Sequence, residues 1–372
     1  MRVLHVSTDG NIGGAGRHLL TLLDAYDRGD FVMEVALPAG SRLIPELEAR
    51  DVPYFEVPDI EGRSFSIKGF VALHRLIKET RPDVIHTHAS LAGRLAARVC
   101  GLAIVHTRHS VFPPSGAAAS AVGKFFLGQV NNRLSDAIIA VSPAAKENLE
   151  LIGTDPERIS VLYNGITPLK AYSDNDKRIF RASFGIPGSA FVVSHIARLV
   201  DEKGHDYTLD AAKIWMQEAP DILVLIAGDG PREAFLQWRI RSETISNVVL
   251  SGFVEEIEKV VNISDLQINA SYGTEATSLA LLEGMSLGVP AVVSDFGGNP
   301  YVIKDGESGL VVPKRDAKAL ASAVMRVKED AELYKRLSEG AAAEFESRFR
   351  AEDMARYTED VYRKVKGGSN VI

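Results

Sequence analysis

The sequence has little that would hold a chain together without a large core. Cysteine occurs once in 372 residues, at Cys100. A single thiol excludes an internal disulfide framework and any cysteine-based zinc cluster. Its setting, LAGRLAARVC, reads as a small-residue helix with the thiol in the core. No stretch reaches the roughly 18 uninterrupted apolar residues of a membrane span. The opening MRVLHVSTDG is a short alternating run that breaks at Asp9-Gly10. It lacks the longer apolar segment and cleavage site of a signal peptide and reads as a first strand. These absences predict a soluble, cytoplasmic protein. An excess of basic charge is also missing. Against 42 Lys and Arg stand 49 Asp and Glu, for a net charge of −7. That excludes nucleic acid as a general partner, while a local basic cluster can still hold phosphate.

What is present is a patterned α/β chain. Its hydrophobic fraction of 46% and charged fraction of 24% suit a globular protein. The length suits two domains rather than one core. Short β-branched runs alternate with longer amphipathic stretches, the pattern of βαβ units and parallel sheets. The first half offers strands at 3–7, 33–37, 83–88, 103–109, 137–142 and 159–164. The second offers 191–197, 222–228, 248–252, 266–271, 290–295 and 309–313. The polar, proline-containing stretch ITPLKAYSDNDKR (166–178) lies between them, and the linker is placed at 169–177. This divides the chain into an N-terminal domain, 1–168, and a C-terminal domain, 178–348. The tail 349–372 completes the first with a closing helix whose apolar stripe is Met354, Tyr357, Val361 and Val365. Two such domains are expected to face each other across a cleft, with ligands outside the carboxyl ends of the strands.

Four groups of residues at those strand ends could carry chemistry. Gly13-Gly14-Ala15-Gly16 follows the first strand and opens the helix RHLLTLLDAY. Glycines there let backbone approach a ligand, and a helix N-terminus favours an anion. A plain tight turn fits as well, and the pattern is not a dinucleotide fingerprint. In ARLVDEKG (197–204), Arg198 and Lys203 could neutralise a diphosphate, Arg by a fork and Lys as a point charge. Alternatively, they pair with Asp201 and Glu202 on a solvated loop.

The third group, TEATSLALLEGMSLGVPAVVSD (274–295), predicts a helix from about Thr277-Ser278 to Gly288. Unpaired amides of Thr277, Ser278 and Leu279 would then be open to phosphate. A carboxylate can accept two hydroxyl hydrogen bonds, so Glu275 and Glu283 suit sugar or ribose. The stretch around Glu283 is too apolar for a solvated helix face. Fourth, His88 and His109 end strands of the first half and could bond a substrate hydroxyl, whereas His86 and His106 read as structural. No local histidine or carboxylate spacing makes a metal site, so zinc is excluded and no cofactor is expected.

The Glu275–Glu283 spacing resembles the E-x7-E motif of family 4 retaining glycosyltransferases, and LLEGMSLGVPAVVSDFGG looks like its usual continuation. The glycine loop at 13–14, ARLVDEKG, LIAGDGP (225–231) and LYNGI (162–166) are also similar to that family, in the right order along nearly the whole chain. The resemblance implies a GT-B fold of two Rossmann-like domains. It also implies retaining, metal-independent transfer of a hexose-type sugar from a nucleotide-sugar. UDP is favoured and GDP second, and the acceptor is a hydroxyl in polysaccharide or glycolipid synthesis.

By the same resemblance, Arg198 and Lys203 hold the diphosphate, Glu283 the ribose and Glu275 the transferred sugar. Thr277, Ser278, Leu279, Gly13 and Gly14 complete the phosphate cradle. Val254 meets the base through its backbone, and His109 sits beside the reacting centre. The chain departs from the family at Ala276, Tyr301, Thr167 and Gly16, none of them a cation or carboxylate of the donor site.

The stretch 111–134, rich in Ala and Gly and carrying Phe125, Phe126 and Leu127 beside Lys124 and Arg133, has two readings. It is an acceptor pocket touching an anionic membrane face from the cytoplasm, or a loop and core helix. Competing functions are a nucleotide-sugar epimerase of the same fold and a non-catalytic two-lobed sugar-binding protein.

Overall fold

A computed structural model of the chain describes residues 1–112 and 116–367. The chain divides into two compact units, Met1–Ile166 together with the segment from Ala351 onward, and Thr167–Arg350.

The first unit is a parallel sheet of β1 Arg2–Ser7, β2 Val32–Pro38, β3 Tyr54–Val57, β4 Val84–His88, β5 Ala103–Arg108, β6 Ala137–Ala140 and β7 Ile159–Val161. Their spatial order is β3-β2-β1-β4-β5-β6-β7. A parallel sheet is covered on both faces, so its strands are continuous apolar runs rather than alternating ones. Val3 packs with Leu19, Leu22, Met33 and Val35 on one face, whereas Leu4 and Val6 pack with Leu73, Ile77, Ile85 and Ala96 on the other. Ser66, Ser90, Ser120 and Ser142 each cap a helix by accepting the amide three residues on. β3 was not expected. It has four residues, pairs only with β2, and Tyr54 and Phe55 are half-buried, so its apolar signal is weak.

The second unit is a parallel sheet of β8 Phe191–Ile196, β9 Ile222–Ala227, β10 Val248–Gly252, β11 Leu266–Asn269, β12 Ala291–Ser294 and β13 Gly309–Val312. The order is β10-β9-β8-β11-β12-β13. A helix over Asp174–Ser183, capped by Ser173, begins inside the stretch read as linker. Each sheet reverses its strand order beside its first strand, at β1/β4 and at β8/β11. Such reversal points are where open α/β sheets bind ligands.

The closing helix spans Ala351–Lys366 and belongs to the first unit. Its stripe differs from the expected one. Tyr357 is 49% exposed, and Thr358 and Tyr362 are buried beside Met354 and Val361. At 100° per residue, position 357 lies on the flank turned away from the sheet, and position 362 lies on the flank turned toward it. No helix among the described residues is long and apolar enough to cross a membrane.

Candidate functional site

In the second unit the loop after β8 forms a short turn at Asp201–Lys203, ended by Gly204 at φ +75°. A Cβ at Gly204 would stand 2.1 Å from the carbonyl oxygen of Ala270, so only glycine lets this loop press on the end of β11. The turn sends Lys203 to Glu275: Nζ donates to Oε2 at 2.8 Å and to the Thr274 carbonyl at 3.1 Å. Asn269 Nδ2 and Ser271 Oγ donate to the same oxygen, at 3.2 and 3.1 Å. Glu275 is buried, and a buried carboxylate needs such compensation. The Tyr272 amide donates to the Glu202 carbonyl at 2.8 Å and ties the two loops together.

The charges left open by the sequence are thereby assigned. Asp201 pairs with Arg232, which also reaches Asp206 at 2.9 Å. Lys203 pairs with Glu275. Arg198 is exposed, and no ion pair holds it among the described residues. Arg232 had not been singled out, although it directly follows LIAGDGP.

The helix of the third motif spans Leu279–Ser286, with Ser278 at its N-cap position, and Gly288 at φ +70° follows it. The cap falls on the second of the two residues expected to start the helix. The amides left without intrahelical carbonyls are therefore those of Leu279 onward, and Thr277 precedes the cap. Glu283 is 1% exposed, which rules out a solvated helix face. The loop bearing Glu275 rests on two glycines that the sequence reading passed over. A Cβ at Gly297 would stand 2.1 Å from the Glu275 carbonyl oxygen, and one at Gly298 would stand 1.6 Å from that of Ala276. The Gly298 amide donates to the Glu275 carbonyl at 2.9 Å. Val254 is half-buried beyond the end of β10 and packs against the cluster around Ile186 and Val260.

In the first unit a helix opens at Gly14 with Gly13 at its N-cap. A Cβ at Gly14 would meet nothing, whereas one at Gly16 would stand 2.9 Å from the Asn11 carbonyl oxygen. The Asp9 carboxylate lies 3.6 Å from a Cβ placed on Gly13, so this turn carries a negative neighbour as well as its amides.

The reversal point β1/β4 gathers histidines that the sequence scatters. His5 and His86 stand opposite each other in register, and His88 lies two residues further along β4, on the same face. His109 follows β5, and His18 reaches in from the helix Gly14–Ala25. His5 Nδ1 lies 3.1 Å from His88 Nε2, and His88 Nδ1 lies 2.8 Å from His109 Nε2. His86 bonds Tyr362 Oη through Nδ1 and Thr107 Oγ1 through Nε2, both at 2.6 Å. His18 Nδ1 lies 2.9 Å from Asn164 Oδ1, which gives the asparagine of LYNGI a structural part. His106 faces the other side of the sheet and bonds the Thr87 carbonyl at 3.2 Å.

Burial holds this set uncharged. It is the main cause pushing His5 down to about 3, helped by His18, and His18 down to about 4 against the raising effect of Asn164. Burial first, then neighbouring imidazoles, holds His86 and His88 well below the usual range. The same order of causes applies to His109, with Arg108 adding to it.

Solved structures share this architecture. HepE from Anabaena in complex with UDP-glucose superposes with a TM-score of 0.85 at 22% identity, over 98% of this chain and 100% of that one. A glycosyltransferase from Rickettsia africae does so at 0.82 and 19%, over 99% of each chain. Both sheets and their order define a GT-B fold.

Among curated proteins, an Escherichia coli UDP-Gal:alpha-D-GlcNAc-diphosphoundecaprenol alpha-1,3-galactosyltransferase is 28% identical over 345 residues, 89% of this chain and 88% of its own length. A D-inositol 3-phosphate glycosyltransferase of Mycolicibacterium smegmatis is 30% identical over 284 residues, 70% of this chain and 63% of its own. Residues 12–168 match Glycosyltransferase Family 4, and residues 176–344 match Glycosyl transferases group 1. The chain belongs to the family 4 glycosyltransferases of GT-B fold, enzymes that act on nucleotide-sugars.

Proposed function

We propose that the chain transfers a hexose-type sugar from a UDP-sugar to an acceptor hydroxyl with retention of configuration and without a metal. The observation that carries this reading is the pairing of Lys203 with buried Glu275, on the loops that end β8 and β11, with buried Glu283 on the helix that follows. Lys203 spends two of its three N–H groups on Glu275 and the Thr274 carbonyl, and the third is available to a diphosphate oxygen. Arg198 and the open amides from Leu279 onward add to it, and Ser278 and Thr277 flank them. As the bond from the sugar's anomeric carbon to the diphosphate breaks, charge grows on the leaving oxygens, where these donors stabilise it. The acceptor oxygen bonds to the same face of that carbon, and its proton passes to a diphosphate oxygen.

Glu275 orients the sugar hydroxyls, Glu283 holds the ribose, and the Val254 backbone meets the base. Gly13, Gly14 and His109 are assigned to the donor by the family pattern. Uridine is preferred because HepE has been seen with UDP and UDP-glucose and the E. coli relative uses UDP-Gal. That relative's acceptor, a diphosphoundecaprenol, supports a lipid-linked acceptor in cell-surface glycan synthesis. The helix Ala121–Leu134 leaves Val122, Phe125 and Phe126 exposed, which suits peripheral contact with a membrane surface; residues 113–115 of the stretch 111–134 lie outside the described residues.

Thermal denaturation with UDP tests the donor assignment. A ligand that binds only the native state raises Tm, and Glu283→Gln should shrink the UDP-induced rise. An unchanged rise would remove Glu283 from the ribose.

A further inference from the structure

Two histidine triads in the first unit bring three ring nitrogens within 4.8 Å of one another: His5, His86 and His88, and His18, His88 and His109. Their hydrogen bonds distinguish them. In the first triad both nitrogens of His86 are engaged by Tyr362 and Thr107, and His5 Nδ1 and His88 Nε2 face each other. Its lone pairs are already committed.

The second triad differs at His18. An amide oxygen can only accept, so the His18–Asn164 contact fixes the proton on Nδ1 of His18. The neutral ring then turns a bare Nε2 inward, and that nitrogen is buried with no hydrogen-bond partner. A buried lone pair without a donor is costly, and here it faces two more imidazoles. The His18 and His109 ring centroids are 4.7 Å apart, and those of His18 and His88 are 5.9 Å apart.

We propose that His18, His88 and His109 form a binding site for a divalent first-row transition-metal ion of the zinc type. The three donors are His18 Nε2, His88 Nδ1 and His109 Nε2. In the chain without the ion, the last two share one proton across 2.8 Å. When an ion binds, His88 carries its proton on Nε2, donated to His5 Nδ1 across 3.1 Å, and His109 carries its own on Nδ1. Each ring stays neutral with one N–H, and three bare nitrogens face the ion, so no proton has to leave. Metal-bound imidazoles characteristically donate their second N–H to an outer partner that fixes ring and tautomer. Asn164 does so for His18 and His5 does so for His88.

Zinc–nitrogen bonds of about 2.0–2.1 Å in tetrahedral geometry place ligands about 3.3 Å apart. The triad closes to that spacing by ring movements on the order of 1 Å. His109 is the least buried of the three and marks the entry side, where water or an anion completes the fourth position. Such a site does not take part in sugar transfer. Resting on the function proposed above, its occupation engages His109 and inhibits the enzyme reversibly.

The test uses the full chain, stripped with a chelator, and zinc titrated against a chromophoric competitor. Cobalt serves as a second, visible probe of tetrahedral nitrogen coordination. The expected result is one ion per chain. His18→Gln should lower affinity at least tenfold, and Asn164→Ala, which removes only the outer partner, roughly 10- to 100-fold. His74→Gln, outside the cluster, should bind as wild type does. Should His18→Gln not fold, Asn164→Ala and the cobalt spectrum decide. Failure of the wild type to take up zinc at micromolar concentration overturns the proposal, as does undiminished binding by His18→Gln or Asn164→Ala. No donor or acceptor enters the measurement, so its outcome is independent of the assigned reaction.

Discussion

The reversal points of the two sheets occupy equivalent places in their folds and carry opposite chemistry. At β8/β11 the chain pairs half-buried Lys203 with buried Glu275 and gives one carboxylate oxygen three hydrogen bonds, from Lys203, Asn269 and Ser271, all within 3.2 Å. At β1/β4 it gathers five imidazoles, and burial keeps them neutral. The contrast separates two tasks. Fixed charges can stabilise a leaving group that acquires charge, whereas neutral donor-acceptor rings suit hydroxyls and soft cations, which fixed charges bind less selectively.

The largest expected effect comes from removing the cation. Lys203→Ala should lower kcat by roughly 10²–10³-fold, the usual loss for one preorganised donor to a developing oxyanion. Steady-state rates with a UDP-sugar measure it. A drop confined to KM would move Lys203 from the reacting phosphate to ground-state binding and weaken the division between the two sites.

A smaller effect is expected in stability against pH, measured in a chelating buffer. The folded values for His5 and His18, about 3 and about 4, lie below the 6.5 of an unfolded histidine. Between those limits the unfolded chain binds more protons, so stability is fully present above 6.5 and is lost as pH falls through about 4 and then about 3. Each such ring contributes about 1.4 kcal/mol per pH unit across its window. Replacing His5 with Asn should flatten the fall in Tm below pH 6, and an unaltered slope would show that this ring is charged when folded.

The smallest effect concerns the first unit's exposed apolar face. Changing Phe125 and Phe126 to Ser should leave the unfolding free energy within about 0.5 kcal/mol of wild type, as for surface sites generally. It should, however, reduce co-sedimentation with anionic liposomes. Equal sedimentation would remove the membrane from the acceptor side.

Much of this architecture was legible in the sequence, because strands buried on both faces appear as unbroken apolar runs. Tyr54–Val57 escaped because a short, half-buried edge strand carries no such run. The Glu275–Glu283 spacing was legible as a local pattern, but what supports it was not. Gly297 and Gly298 matter through contact with a loop some twenty residues away. The histidine cluster was hidden for a similar reason. Metal spacing is sought within one helix or loop, whereas this cluster arises from register between β1 and β4 and from a ring on a separate helix. Tyr357 was mistaken for Tyr362 because both lie near the edge of one helical stripe, and only the sheet beneath decides between them.

The Ala351 amide donates to the Ile166 carbonyl at 3.1 Å, so the chain re-enters the first unit beside the point where it left. On a ribosome this fixes an order of events. Residues 167–350 emerge complete before the closing helix exists, and the second sheet can be finished while the first still waits. Until residue 362 has been translated, the nascent first sheet lacks the ring that packs near Phe31 and bonds His86. The half of the protein made first is therefore the half finished last.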